Sequence, residues 1–284
     1  MLAGNPSVGP AAEPALHVFD RDTAIEEIAP NVYAAALSDR WSTVRGPNGG
    51  YFLSICLRAL AAETRHPDPI VASAFFHSAS ASGPAEVRTQ PVRSSRRLTT
   101  GEARLLQDDH EVLRLLASFA DLEGTQGRTT ELEAPPFLSV LDAAVDLDPD
   151  GLFPGSTLPT RFNYRVAELH GWRTGNPGGN ASLEFAIDFA EPRPIDPIAL
   201  ALIVDACPRA VYELGEYSML TLGLTMHVRA RPAPGPLIGR VRTRHLRDGY
   251  HDEDLDLWDR ESTLVAQSRQ LALLTTPPPA AEPR

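Results

Sequence analysis

Hydrophobic positions fall into two similar series along the chain. In the first, Val32 to Leu37 reads as a short strand, and Gly46-Pro47-Asn48-Gly49-Gly50 punctuates the chain after it. A helix is predicted from about Tyr51 to Thr64. Its apolar positions, among them Phe52, Leu53, Ile55 and Cys56, leave almost no polar stripe until Arg58. A helix that is apolar nearly all round must be wrapped by other elements. Four strand-like runs come next, over 70–77, 85–93, 99–106 and 111–122, separated by turn signals such as Ser82-Gly83-Pro84 and Asp108-Asp109.

The second series repeats this order. Ser182 to Phe189 alternates cleanly as a strand, and Thr160 to Leu169 offers another before it. A helix is predicted from Ile195 to Leu214, opened after Pro192 and Pro194. Strands continue over 219–231, 237–247, 253–258 and 264–274. The two series superpose at an offset of 235 − 83 = 152, which sets Gly83-Pro84 on Gly235-Pro236 and Val112-Leu113 on Leu264-Val265. Identity is low, so the repeat is one of pattern. The fold class expected is α+β, with two units, 16–123 and 156–276. Each unit has one central helix and an antiparallel sheet of about five strands. Neither sheet has an obvious cover for both edges, so edge pairing between the units is expected. Two unrelated α+β domains are the alternative. The acidic, Pro-rich stretch 124–155 reads as a linker, and 1–15 and 277–284 read as flexible ends.

Composition narrows the class. The chain has 284 residues, enough for two domains. Its net charge of −11 argues against nucleic acid and anionic membrane as partners. Two cysteines in so long a chain do not make a disulfide framework, which favours a reducing, cytoplasmic setting. No signal peptide is visible, and no apolar run reaches the ~20 residues of a membrane helix.

One acidic residue stands out. Asp205 lies three residues after Leu202, bordering the apolar face of the second helix. A carboxylate there is costly unless paired or hydrogen-bonded. Pro208 lacks the N–H that would bond the Val204 carbonyl, so the helix is expected to distort there. Asp205 reads either as a general base acting on water or as an acid that satisfies a kink. Thr221 and Gln270 carry groups able to hold water. Strand alternation creates a conflict for Thr221: Leu220, Leu222, Leu224, Met226 and Val228 form one face and Thr221 the other. A bulge would change that. The amides of Gly49, Gly50 and Tyr51, at a glycine-rich helix start, are candidate oxyanion donors; a plain turn is the alternative. Arg229 and Arg231 share one strand face, as do Arg240, Arg242 and Arg244. Such rows suit phosphates but are more commonly solvated faces. There is no Gly-x-Ser-x-Gly elbow. His245, His251, Asp252, Glu253 and Asp254 have no recognised metal spacing, and Cys207 has no neighbouring His to activate it.

Several segments resemble the acyl-CoA thioesterase II family: Pro47-Asn48-Gly49-Gly50-Tyr51, Arg97-Leu98-Thr99-Thr100, Val228-Arg229-Ala230-Arg231-Pro232, and Leu264 to Gln270. The likeness is greatest to actinobacterial-type members and spans about 17 to 274. The resemblance implies a double hotdog that hydrolyses acyl-CoA to a fatty acid and CoA. It implies a water-activating trio of Asp205, Thr221 and Gln270. Ser118 stands where a second Gln would be, which implies one site per chain. The acyl chain is expected between the two helices, beside Phe52, Ile55, Leu202 and Cys207. Acyl-CoA is the expected partner, no metal or bound cofactor is required, and association into a dimer or tetramer is expected by resemblance. A hotdog enoyl-thioester hydratase or dehydratase and a non-catalytic acyl-CoA binding module are the rivals.

Overall fold

The structure, a computed structural model, describes residues 16–136, 141–142, 144–147 and 155–275. The expected flexible ends, 1–15 and 277–284, lie outside these residues, as does part of the 124–155 linker.

In the first half, helix α1 (Val18–Asp22) leads to strands β1 (Ile25–Ala29) and β2 (Val32–Leu37). Two short strands, β3 (Ser42–Thr43) and β4 (Gly46–Pro47), pair as a ribbon before helix α2 (Gly49–Ala62). Strands β5 (Asp68–Phe76), β6 (Gly83–Ser94), β7 (Thr99–Gln107) and β8 (His110–Ala120) complete this half. The second half has β9 (Val145–Asp146), β10 (Phe162–Val166), β11 (Ser182–Phe189) and helix α3 (Pro197–Ala206). It ends with β12 (Met219–Val228), β13 (Leu237–Arg242), β14 (Leu246–Arg247), β15 (Tyr250–Trp258) and β16 (Leu264–Leu274).

Helix α2 forms because Asn48 caps it, its Oδ1 accepting from the Tyr51 N–H at 3.2 Å. Its side chains from Gly50 to Leu57 are all buried, packed between the sheet and α3. Helix α3 starts at Pro197 behind the cap Asp196, which accepts from the amides of Ile198 and Ala199. It is half the expected length. Cys207, held extended at φ −64° and ψ 150° by the adjoining Pro208, closes it, and a 3₁₀ turn over Ala210–Leu214 replaces the predicted last turns.

All the strands except β3 and β4 join one antiparallel sheet, ordered β1-β2-β6-β7-β8-β5-β12-β16-β15-β13-β11-β10-β9, with β14 pairing on β15. The expected edge pairing is the β5–β12 seam, where Val71 to Phe75 faces His227 to Gly223. At its middle Ser73 pairs with Thr225, 152 positions later, their hydroxyls 3.0 Å apart. The repeat offset is therefore the distance between partners on an approximate two-fold axis. The double hotdog arrangement is present: one sheet, made of two halves, wraps both central helices.

Candidate active site

Two short-range facts place Asp205. It sits at the last turn of α3 and is 6% exposed, facing the N-terminus of α2. The helices touch there because Gly50 has no side chain. A Cβ at Gly50 would lie 2.5 Å from the Ala201 carbonyl oxygen and 2.9 Å from the Asp205 Cβ.

Both carboxylate oxygens of Asp205 meet donors. Oδ2 accepts from Asn48 Nδ2 at 2.8 Å and from the Gly50 N–H at 3.0 Å. Oδ1 accepts from Arg209 at 2.7 Å. Asn48 thus caps one helix with its oxygen and holds Asp205 with its nitrogen. The partial positive charge of the α2 N-terminus favours the same carboxylate.

Arg209 is shared. Its other nitrogen donates to Glu253 Oε1 at 2.9 Å. Two carboxylates beside it overcome the effect of burial and hold the guanidinium firmly charged, above its ordinary range. Glu253 is 3% exposed, and burial pushes its carboxyl up, against the pull of Arg209 and hydrogen bonds from Gln270 and the Ala210 amide. Gln270 Nε2 donates to Glu253 Oε1 at 2.5 Å, and Thr221 Oγ1 donates to Gln270 Oε1 at 3.1 Å. One chain of bonds therefore runs Asp205–Arg209–Glu253–Gln270–Thr221. Of the expected trio, Thr221 and Gln270 touch directly, whereas Asp205 joins them only through Arg209 and Glu253.

The conflict over Thr221 is resolved by a bulge. Thr221 pairs with Ala272 and Gly223 with Leu271, leaving Leu222 as the extra residue. Thr221 consequently shares the helix-side face with Gln270 and Ala272, while Leu220 is 44% exposed.

Several expected site residues are placed differently. The Gly50 amide is taken by Asp205 and the Tyr51 amide by the Asn48 cap, so neither is an open donor for a substrate. The Tyr51 hydroxyl lies in the core and donates to the Asp22 carbonyl. Gly49 remains at the head of a cleft beside Asp205. Ile55 and Leu202 are fully buried and line neither of the clefts that reach Asp205. Phe52 and Cys207 line two different clefts. The Cys207 thiol donates to the Ile203 carbonyl, and burial raises its pKa, consistent with a core thiol.

The arginine rows are mostly engaged with carboxylates: Arg231 with Asp68, Arg240 with Glu184, Arg242 with Asp256, Arg244 with Asp254. That is the solvated-face arrangement. Among the described residues no group of three or more His, Cys, Asp or Glu is placed to hold a metal ion. Asp252 instead ties a turn, accepting from the amides of Arg244 and His245. No described helix is long and apolar enough to cross a membrane.

Two clefts meet at Asp205 and Arg209, both also lined by Thr43, Arg45, Asn48 and Met219. The first, of about 340 Å³, carries Gly49, Phe52, Phe76, His77, Ser80 and Thr221. The second, of about 360 Å³, runs under the end of α3 toward Tyr164, Trp172 and Tyr212. A buried carboxylate at the junction of two clefts, held by the Asn48 amide and Arg209 and sharing one cleft with the Thr221 hydroxyl, is an arrangement that can activate water.

Residues 37–120 match the acyl-CoA thioesterase N-terminal domain and 138–274 the acyl-CoA thioesterase C-terminal domain. A structure from Thermobifida fusca described as a thioesterase II is 30% identical, with a TM-score of 0.82 over 91% of this chain and 98% of that one. The chain belongs to the acyl-CoA thioesterase II family. Within the fold, this member of the family also resembles a hot dog protein of unknown function from Alicyclobacillus acidocaldarius. The two share 21% identity and a TM-score of 0.79, over 93% of this chain and 100% of that one. An uncharacterised protein of Mycobacterium tuberculosis is 23% identical over 267 residues, covering 86% of this chain and 91% of that one.

Three residues of the site were not singled out by sequence reasoning: Asn48 stood only within the glycine-rich run, Glu253 only among the acidic residues near 252, and Arg209 not at all. The signal available for Arg209 was its i, i+4 spacing from Asp205, the spacing of the ion pair now seen.

Proposed function

We propose that the chain hydrolyses acyl-CoA thioesters, with Asp205 as general base and Thr221 and Gln270 orienting the water. The observation that carries this is the buried Asp205 at the meeting of two clefts, bonded into the Gln270–Thr221 chain, in a member of a thioesterase family.

Oδ1 of Asp205 has one donor, Arg209, so it has a second acceptor site for a water proton. As the water oxygen bonds to the thioester carbonyl carbon, its proton passes to Asp205. The carbonyl electrons move to oxygen, and the Gly49 N–H at the positive end of α2 stabilises that charge. Collapse re-forms the carbonyl and breaks the C–S bond. The leaving thiolate takes the proton from Asp205, releasing CoA and the carboxylic acid. Arg209 keeps Asp205 aimed at the clefts, and Glu253 keeps the Gln270 amide in one orientation. Glu253 accepts from both Arg209 and Gln270, so one acid sets the position of both ends of the site.

The hydratase or dehydratase reading has two imidazoles to draw on: His77, which lines the Gly49 cleft but is 46% exposed and lies 3.4 Å from Glu111, and His251, which is buried near Arg209 with neither ring nitrogen hydrogen-bonded and lines neither cleft. Neither bonds to Asp205, and hydrolysis is the better supported chemistry.

The deciding experiment is thiol release from a panel of acyl-CoAs by the wild-type chain and by Asp205→Asn. Loss of a general base predicts a fall of about 10²–10⁴-fold with the fold retained. Full activity in a folded Asp205→Asn protein would exclude this mechanism. Saturable acyl-CoA binding with no thiol released over hours would favour the binding module.

A further inference from the structure

We infer that the acyl group occupies the cavity beneath the C-terminal end of α3, and that this cavity selects compact acyl groups, aromatic ones foremost, over long straight chains. The inference rests on the thioesterase reading above and assigns the two clefts that it leaves unassigned.

A thioester whose carbonyl lies at Asp205 must send its acyl group one way and its CoA arm the other. The two partners differ in chemistry. The CoA arm carries amides and hydroxyls that need hydrogen-bonding surface. The acyl group carries none and gains from apolar walls alone. Both clefts have apolar walls, but the cleft toward Gly49 sets Phe52, Phe76, Leu220 and Leu222 beside the backbone of the Gly46–Gly49 turn and His77, Ser78 and Ser80. The other, with Ser156 and Ser218 at its polar points, is walled mainly by Leu158, Pro159, Tyr164, Trp172, Tyr212 and Tyr217, and four of these walls are aromatic.

Those walls come from segments outside the core of the repeat. Trp172 sits in a 3₁₀ turn over Gly171–Thr174, and Tyr212 in the 3₁₀ turn over Ala210–Leu214 created by the early end of α3. Tyr212 stacks on Tyr217 with centroids 5.7 Å apart and meets Trp172 at 5.1 Å and 57°. The Tyr164 hydroxyl donates to the Ala206 carbonyl, which leaves its ring face toward the cavity side of α3. Rings locked against one another are rigid and offer faces and edges to another ring. The cavity volume, about 360 Å³, is near the lower end of the ~300–1,000 Å³ range of ligand pockets. Rigid walls and small volume together favour a compact group.

The test compares kcat/KM for thiol release from acetyl- to palmitoyl-CoA and from phenylacetyl-CoA. The expected result is a rise of about fourfold per methylene up to a medium chain, from burial of each added group. Palmitoyl-CoA should then fall at least tenfold below phenylacetyl-CoA. Tyr217→Ala and Leu158→Ala, which enlarge the cavity, should move the optimum to longer chains. Phe76→Ala, in the Gly49 cleft, should change KM alike for every acyl length. A steady rise through palmitoyl-CoA, or a chain-length shift caused by Phe76→Ala instead, overturns the assignment.

A second readout is independent of turnover. Trp41 and Trp258 are buried at 0% and 1% exposure, whereas Trp172 lines the cavity. Phenylacetyl-CoA should quench tryptophan emission in the Asp205→Asn protein, and Trp172→Phe should abolish that response. If no thioester is hydrolysed by the wild type, the catalytic reading fails while this titration still decides the binding site. Absence of quenching overturns the site itself.

Discussion

A buried arginine between two buried carboxylates is the feature on which the site's energetics turn. Removing Arg209 would leave Asp205 and Glu253 facing each other without a countercharge. Arg209→Met is expected to cost about 3–5 kcal/mol, read as a lowered urea midpoint. Arg209→Lys should recover part of that but not the two-sided contact, because a lysine ammonium lacks the planar fork. Gly50 is constrained by space. Gly50→Ala is expected to destabilise by about 1–3 kcal/mol, since its methyl meets the Ala201 carbonyl. His251 supplies a pH effect. It is 1% exposed with neither ring nitrogen hydrogen-bonded, and burial together with the Arg209 charge lowers its pKa to about 4. Its depressed folded pKa means stability is present above the unfolded value of ~6.5 and is lost as pH falls toward the folded value. Thermal unfolding between pH 7 and pH 4 should show a loss of about 3 kcal/mol from this group, absent in His251→Leu. Asp205, Thr221 and Gln270 were legible as residues because each is polar where the pattern is apolar or matches a family segment. Their connection was not legible, because Arg209 and Glu253 come from different elements and only the fold sets them side by side.

Elements were mostly legible where periodicity was strong. The strand order and the apolar helix α2 track the hydrophobic pattern closely. The end of α3 does not: the apolar spacing continues through Ala210, but Pro208 overrides it and converts the last turns into the 3₁₀ segment that carries Tyr212. The bulge in β12 was hidden in its own sequence, since Leu222 continues the alternation. A signal existed in the other half. β5 has a bulge between Pro69 and Val71, at the positions 152 residues before Thr221 and Gly223. Proline within a strand marks an edge or a bulge, so Pro69 pointed to the irregularity that turns Thr221 inward. Deleting Leu222 should restore regular pairing and leave Thr221 opposite Ala272 on the inner face. Thiol release should then persist in the folded deletion variant, and its loss would show that the bulge itself sets the position of Thr221.

Across the molecule the approximate two-fold axis relates halves that are alike in backbone and unlike in chemistry. Helix α2 carries no acidic residue. Where Gln270 pairs with Glu253 in the second half, Ser118 pairs with Thr100 in the first. The corner at the start of α3, which corresponds to the start of α2, is filled by α1. There Arg193 bonds Asp20 and Asp196 and lies 4.8 Å over the Phe19 ring. Titration of the Asp205→Asn protein with a substrate it no longer turns over should therefore give a stoichiometry of one per chain. The seam between β5 and β12 has a mechanical consequence as well. A ladder of backbone bonds crossing the middle of the sheet does not permit the halves to swing apart like the covers of a book. If the chain turns over a thioester, the continuous β5–β12 ladder predicts that admission and release use local movement of the segments over the clefts and not a hinge between the halves.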